Sequence, residues 1–258
     1  AVGANFGFLF GNIKHSQLIN MSAEGSDAYN TSRSQELRVR DLIMDFGLQY
    51  THPFSKTESV TLGLVFSPKK VLNADSYNYT ETLTANGYVD EIISSDTISG
   101  KEFGLPNKYG AGLSYVKQNK LTLAVDFSYE DWGKMLYFGE KGNFRNRYRV
   151  AVGGEYIPDY MRKSYFNRIA YRAGIHYGNS YLRMNRTDVN PSGDGYNEIG
   201  ASVGLGLPLI DNRSLINISF EYMRKKPETK VGMIDEQYFR FTVNYTFNEL
   251  WFFKRKVD

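Results

Sequence analysis

The sequence predicts an all-β protein: an antiparallel transmembrane β-barrel of about ten strands, in a single domain over residues 1–258. Three observations lead there. Apolar and polar residues alternate along most of the chain. The polar positions are crowded with Gly, Ser, Asn and Thr. Short and long connections take turns between the alternating segments.

The alternation runs from end to end. In the first segment Val2, Ala4, Phe6, Phe8 and Phe10 oppose Gly3, Asn5, Gly7, Leu9 and Gly11. In the second, Leu42, Met44, Phe46, Leu48 and Tyr50 oppose Ile43, Asp45, Gly47 and Gln49; in the third, Val60, Leu62, Leu64 and Phe66 oppose Thr61, Gly63, Val65 and Ser67. The same period of two recurs over 109–115, 121–130, 147–156, 169–178, 198–207, 216–222 and 239–247. A soluble sandwich also alternates, but its outer face meets bulk water and favours Lys, Glu and Thr. Here the polar face is small and crowded, which fits a lumen, and the apolar face is continuous, which fits lipid. Backbone groups in hydrocarbon all need partners, so a spanning sheet has to close.

The connections give an independent test. Long ones are "SAEGSDAYNTSRSQE", "NADSYNYTETLTANGYVDEIISSDTISGKEF", "DWGKMLYFGEKGNFRN", "RMNRTDVNPSGDGYN" and "KKPETKVGMIDE". Between them fall "PFSKTES", "KQNK" and "PLIDNRS", with "IPDYMRKSYFNR" of middling length. Short periplasmic turns and longer outer loops give this rhythm, and its parity puts both chain ends on the periplasmic side. Aromatics are expected at the two interfaces: Tyr50, Tyr115, Tyr156 and the run Trp251, Phe252, Phe253 on one level, and Tyr129, Trp132, Tyr181, Tyr222 and Tyr238 on the other.

Composition narrows the classes. Hydrophobic residues make up 41 % and aromatics 15 %, with a mean hydropathy of -0.44. A net charge of +3, built from many charges of both signs, gives no reason to expect nucleic acid. Without Cys there is neither a disulfide nor a thiolate metal site, and no run approaches the ~20 apolar residues of a spanning helix. The chain opens at "AVGANFGFLF", without an initiator Met or a basic n-region, so a mature or trimmed chain is expected.

On "YRVAVGGEYIPD", "YRAGIHYGNSYL", "EIGASVGLGLPL", "SLINISFEYMRK" and "FRFTVNYTFNELWFFKRK", the stretch 148–258 resembles the FadL/TodX family of outer-membrane transporters for fatty acids and hydrocarbons. "AVGANFGFLFGNI" is similar to a mid-barrel strand of that family. The resemblance implies a fourteen-stranded barrel with an N-terminal hatch and a kinked early strand that opens sideways. The chain has no hatch-like segment, so the resemblance also implies that the hatch and the first strands are missing from it; the alternative is a complete small barrel, since ten strands, an even number, could close alone.

The inward-facing positions hold the chemistry. Arg147, Arg149, Arg172, His176, Glu198, Glu221 and Arg240 are the candidate ligand-binding residues, joined by Asp45, Asp126, Glu130 and Glu155. Two readings stand: mutually compensating charges that hydrate the lumen or hold a plug, and Arg forks that take an anion such as a fatty-acid carboxylate. His15, His52 and His176 are too scattered for a metal. His176 with Ser202 is the one pair with a nucleophile-and-base pattern, and a hydrogen bond in the lumen explains the His better, so no enzyme activity is expected. The Asn-x-Ser/Thr triplets at Asn20, Asn30, Asn78 and Asn244 fit chance in this composition, and "GASVGLGLP" lies on a strand, not in a phosphate loop.

The functional expectation is a passive channel in the outer membrane of a Gram-negative bacterium, carrying small hydrophobic molecules such as fatty acids, without cofactors. Its partners would be outer-membrane lipids and a hydrophobic ligand. The alternative is a FadL-like barrel that serves as a structural subunit of an outer-membrane secretion or protein-insertion complex, with the 73–103 loop as its docking surface.

Overall fold

A computed structural model describes the chain except for residues 20–29, 85, 138–140, 163, 185–193, 210–213, 231 and 248–258. Trp251, Phe252, Phe253, the basic tail and the Asn20 triplet therefore lie outside the described residues.

Twelve strands form one antiparallel sheet: β1 (Val2–Ile19), β2 (Asn30–Pro53), β3 (Glu58–Ser67), β4 (Lys70–Leu83), β5 (Val89–Leu105), β6 (Lys108–Lys117), β7 (Leu121–Glu130), β8 (Arg147–Tyr156), β9 (Ala170–Asn179), β10 (Tyr196–Pro208), β11 (Leu215–Pro227) and β12 (Glu236–Thr246). A short helix, α1 (Tyr165–Arg168), sits between β8 and β9, and a 3-10 turn (Trp132–Lys134) follows β7.

The long strand β2 explains the order. One edge of it pairs with β1 along the whole of β1, from Val2 opposite Leu48 to Ile19 opposite Thr31. The other edge is shared: Phe46–Pro53 pair with β3, and Asn30–Val39 pair with β4. Thus β3 and β4 are consecutive lengths of one rising run, and β5 and β6 are consecutive lengths of the run that descends beside it. At the level of β3 the wall holds β1, β2, β3, β6 and β7 to β12, which are the ten strands expected. Above that level β1, β2, β4 and β5 are the strands that continue among the described residues. Among the described residues β1 pairs only β2 and β12 only β11, so the sheet is not closed.

Here the sequence expectation needs correction. The segment 73–103, expected as a loop, is a strand hairpin, and β2 begins at Asn30 inside the stretch expected as a connection. These residues lack a continuous apolar face, so alternation of hydrophobicity cannot mark them. Their β-branched and aromatic content does: Tyr77, Tyr79, Thr80, Thr82, Val89, Ile92 and Ile93 favour extended backbone. Asn86–Gly87 supplies the turn, with Gly87 at φ 81°, a conformation that suits a residue without Cβ.

Burial is inverted relative to a soluble protein. Ile175, Val203 and Phe239 are 64 %, 59 % and 67 % exposed, while the His176 side chain between them in the wall is 12 % exposed. Bulky apolar side chains cover one face of β6 to β12 and polar ones pack the other. The fully buried apolar residues lie mostly above the wall: Leu72, Ala74 and Phe103 on the hairpin, with Leu9, Leu37, Val39 and Leu105 packed on them. A soluble sandwich would bury its large apolar face; this sheet presents it outward, as a barrel does to acyl chains.

Candidate functional site

The polar face of β7 to β12 is a set of charges that lie sideways across neighbouring strands. Register puts Glu155 of β8 opposite Arg172 of β9. Arg172 Nε donates to Glu155 Oε2 at 2.6 Å, and its Nη1 reaches over β10 to Asn217 Oδ1 on β11 at 2.5 Å. That reach needs a low floor. Gly206 provides it, since a Cβ there would stand 3.2 Å from Arg172 Nη2. Likewise the His176 ring covers Gly200, where a Cβ would overlap it, and Nε2 comes within 3.2 Å of Glu198 Oε1. Asp126 of β7 lies over Gly112 of β6 in the same manner. The Gly-rich polar face thus has a use beyond backbone freedom: it lets long side chains fold flat over the neighbouring strand, and lets Arg172 meet a partner two strands away.

The expected site residues fall on this face as follows. Arg147 faces Glu130 at 3.6 Å, Arg172 binds Glu155, His176 meets Glu198, and Arg240 lies 3.3 Å from Glu221. Of the seven candidates, Arg149 alone has no ion pair or hydrogen bond from its guanidinium among the described residues; it borders a concavity of about 440 Å³ with Asp126, Ser128, Gly110 and Gly112. No hydrogen bond joins His176 and Ser202 among the described residues; Ser202 stands opposite Gly174 and Glu221. No group of three or more His, Cys, Asp or Glu gathers for a metal among the described residues.

Two features carry no signal in the alternation. The first is a break in the wall. Between Phe66 and Ala74 the β3–β4 run has one residue more than β2 has between Phe46 and Val39. Pro68 and Pro106, which have no N–H to leave unpaired, flank the gap. Side chains satisfy its remaining backbone: Asp41 accepts from the N–H groups of Leu42 and Asn73 and pairs with Lys70 at 2.9 Å, and Asn107 Oδ1 accepts from Lys69 N–H at 2.7 Å. A hollow of about 230 Å³ remains there, bordered by Met44, Asp45, Pro68, Lys70, Leu105 and Pro106.

The second is a plate formed by the connections that follow β7, β9 and β11, called the outer plate. Arg145, before β8, donates from Nε to Ser180 O and from Nη2 to Tyr196 O, both at 2.8 Å, and its Nη1 pairs with Glu228. One guanidinium therefore ties together the connections after β7, β9 and β11. Gly195 sits where any Cβ would strike that guanidinium. Beside it Trp132 stacks on Tyr181 at 4.6 Å, Phe144 leans on both, and Tyr137 bridges Phe144 to Phe103 of β5. Trp132 and Tyr181, expected on one level of an aromatic belt, stack on each other in this cluster. At the tip of the same plate Arg224 holds Asp235 through two contacts, and this pair keeps the Asp235 carboxyl below the ordinary Asp value of 3.8.

Comparison with known proteins adds two findings. A family profile described as BamG matches residues 1–258. Among solved structures the chain is similar to a "CymD monoaromatic hydrocarbon channel", with 14 % identity and a TM-score of 0.51 over 87 % of this chain and 64 % of that one. At that identity the likeness concerns the fold, and the chain spans less than two thirds of the channel's length. No curated protein matches the chain. The profile that matches is BamG, not the FadL/TodX family named from the sequence, while the fold is that of a hydrocarbon channel.

Proposed function

The chain belongs to the BamG family, and on that premise we propose that it is a barrel subunit of an outer-membrane protein-insertion or secretion complex, built on the fold of a small-molecule channel. The observation that carries this reading is the division of labour in the structure. The inner wall pairs most of its charges with one another, as in Glu155–Arg172–Asn217 and Glu221–Arg240, and sets Glu198 beside His176. The outer side, in contrast, is a joined plate of connections with a paired hairpin that rises beside it. A wall most of whose arginines are neutralised in place suits a scaffold, and a built surface of connections suits contact with another protein. Membership of the BamG family favours this reading over transport.

The test compares cells with and without the gene. Purification in mild detergent is expected to recover the chain with stoichiometric outer-membrane partners, and its loss is expected to lower the amounts of other outer-membrane proteins while uptake of long-chain hydrophobic compounds stays level. A lone monomer with reduced uptake would overturn the proposal.

That last result would favour the second reading, a passive channel for hydrophobic molecules. Two observations support it: the likeness to a hydrocarbon channel, and the hollow at the β3–β4 break, which lies in the wall near Met44 and Leu105. In it Arg149 would be the cation that meets a carboxylate. No cofactor enters either reading.

A further inference from the structure

The β4–β5 hairpin differs from everything below it in charge and in pairing. Between Lys70 and Lys101, which stand at its base, it carries Asp75, Glu81, Asp90, Glu91 and Asp96 and neither Lys nor Arg, in a chain whose net charge is +3. β5 pairs with β4 on one edge; among the described residues its other edge has no strand against it, whereas β6, its continuation, is paired on both sides. Over residues 94–100 the pairing with 74–80 is regular, so the free edge there is a straight row of backbone donors and acceptors.

The tip adds apolar surface. Tyr88, Val89, Ile92 and Ile93 are exposed at a height where β2 has already left the ten-strand wall. Solvent-facing apolar side chains beside an open edge are a hazard unless a partner covers them.

We infer that the free edge of β5 is the docking strand for an extended, basic segment of a protein partner outside the membrane, which adds to the sheet at residues 94–100 and sets its Lys or Arg side chains against Asp90, Glu91 and Asp96. Charge decides the occupant. A second copy of this hairpin would bring the same carboxylates face to face, and like charges opposite one another oppose pairing. The extra residues at Asp90 and Ile93, which interrupt the register with β4 near the tip, further discourage a long self-paired edge. A basic strand along 94–100, clear of those extra residues, meets no like charge: main-chain hydrogen bonds supply the pairing, and the nearby carboxylates supply steering. The inference deepens the subunit reading and rests on it.

The test uses the full chain in detergent and synthetic peptides of alternating Lys and Val, of alternating Glu and Val, and of Lys and Val with a central Pro. The Lys–Val peptide is expected to bind, to slow amide exchange within 94–100, and to weaken with salt. D90K/E91K/D96K, at exposed positions, is expected to lower its affinity by at least about tenfold. The Pro-bearing peptide is expected to bind about tenfold more weakly, because Pro cannot complete the ladder. Equal binding of the Glu–Val peptide, equal binding of the Pro-bearing peptide, or unchanged exchange at 94–100 would overturn the inference. So would a dimer of the chain that protects those amides. If the native complex assembles equally well with D90K/E91K/D96K, the docking surface is wrong and the subunit reading stands. If no complex forms with the unaltered chain, the subunit reading falls, and the peptide result still decides what the edge binds.

Discussion

The wall of β6 to β12 and the hairpin of β4 and β5 are built from the same antiparallel ladder, yet opposite rules govern their side chains. In the wall every second residue is apolar and exposed, as Ile175, Val203 and Phe241 are, and the residues between them fold over glycines to meet charged partners. In the hairpin both faces are polar, the acids are unpaired by bases of their own, and the apolar residues either pack into the cluster at Leu72, Ala74 and Phe103 or gather at the tip. The difference teaches that hydrophobic alternation reports the solvent on each face, not the strand itself. A strand with lipid on one side must alternate; a strand with water on both sides need not.

The largest expected effect separates the two regions. Val203→Arg sets a cation on the lipid face and is expected to cost about 2–4 kcal/mol if it lies near mid-depth. Ile92→Arg on the hairpin is expected to stay within about 0.5 kcal/mol of the parent. Urea unfolding in lipid vesicles measures both, and equal effects would erase the distinction. Next comes the glycine floor. Gly200→Val drives a branched side chain into the His176 ring and is expected to cost about 1–3 kcal/mol, with less penalty when combined with His176→Ala. A smaller effect is expected for Arg172→Met, about 1 kcal/mol because both partners keep some solvent, with part of it recovered in Glu155→Gln/Arg172→Met.

The smallest effect is one of pH, at the outer rim. The Asp235 carboxyl is held below its ordinary value by Arg224, so the contact favours the folded tip above pH 3.8 and is lost as the pH falls through the lowered value. Amide exchange near Asp235 is expected to rise only in that acid window, and Asp235→Asn is expected to remove the pH response. A rise centred at neutral pH would place the cause elsewhere.

Much of the wall was legible in the sequence. Period two in 121–130, 147–156 and 198–207 located β7, β8 and β10. The polar face was legible as a face: Arg172, His176, Glu198, Glu221 and Arg240 all lie on it. Their partnerships were less so, because a side chain that crosses Gly206 to Asn217 joins residues 45 positions apart. Arg145 was missed altogether. It stands in an irregular connection, and only the folded plate brings Ser180, Tyr196 and Glu228 around it. The upper half of β2 and the β4–β5 hairpin were read as loop for want of an apolar face, although Asn86–Gly87 between two β-prone runs carried the hairpin signal.

The central claim is that the apolar face of this sheet meets lipid while the polar face meets water or protein. The chain has no Cys, so single cysteines at Ile175, Val203 and Phe241, and at Ala151, Ser202 and Thr242, report each face cleanly. Spin labels at the first three are expected to relax with oxygen dissolved in the bilayer and to ignore a water-soluble nickel reagent, and labels at the second three are expected to show the reverse. Equal access of the aqueous reagent to both series would contradict the account.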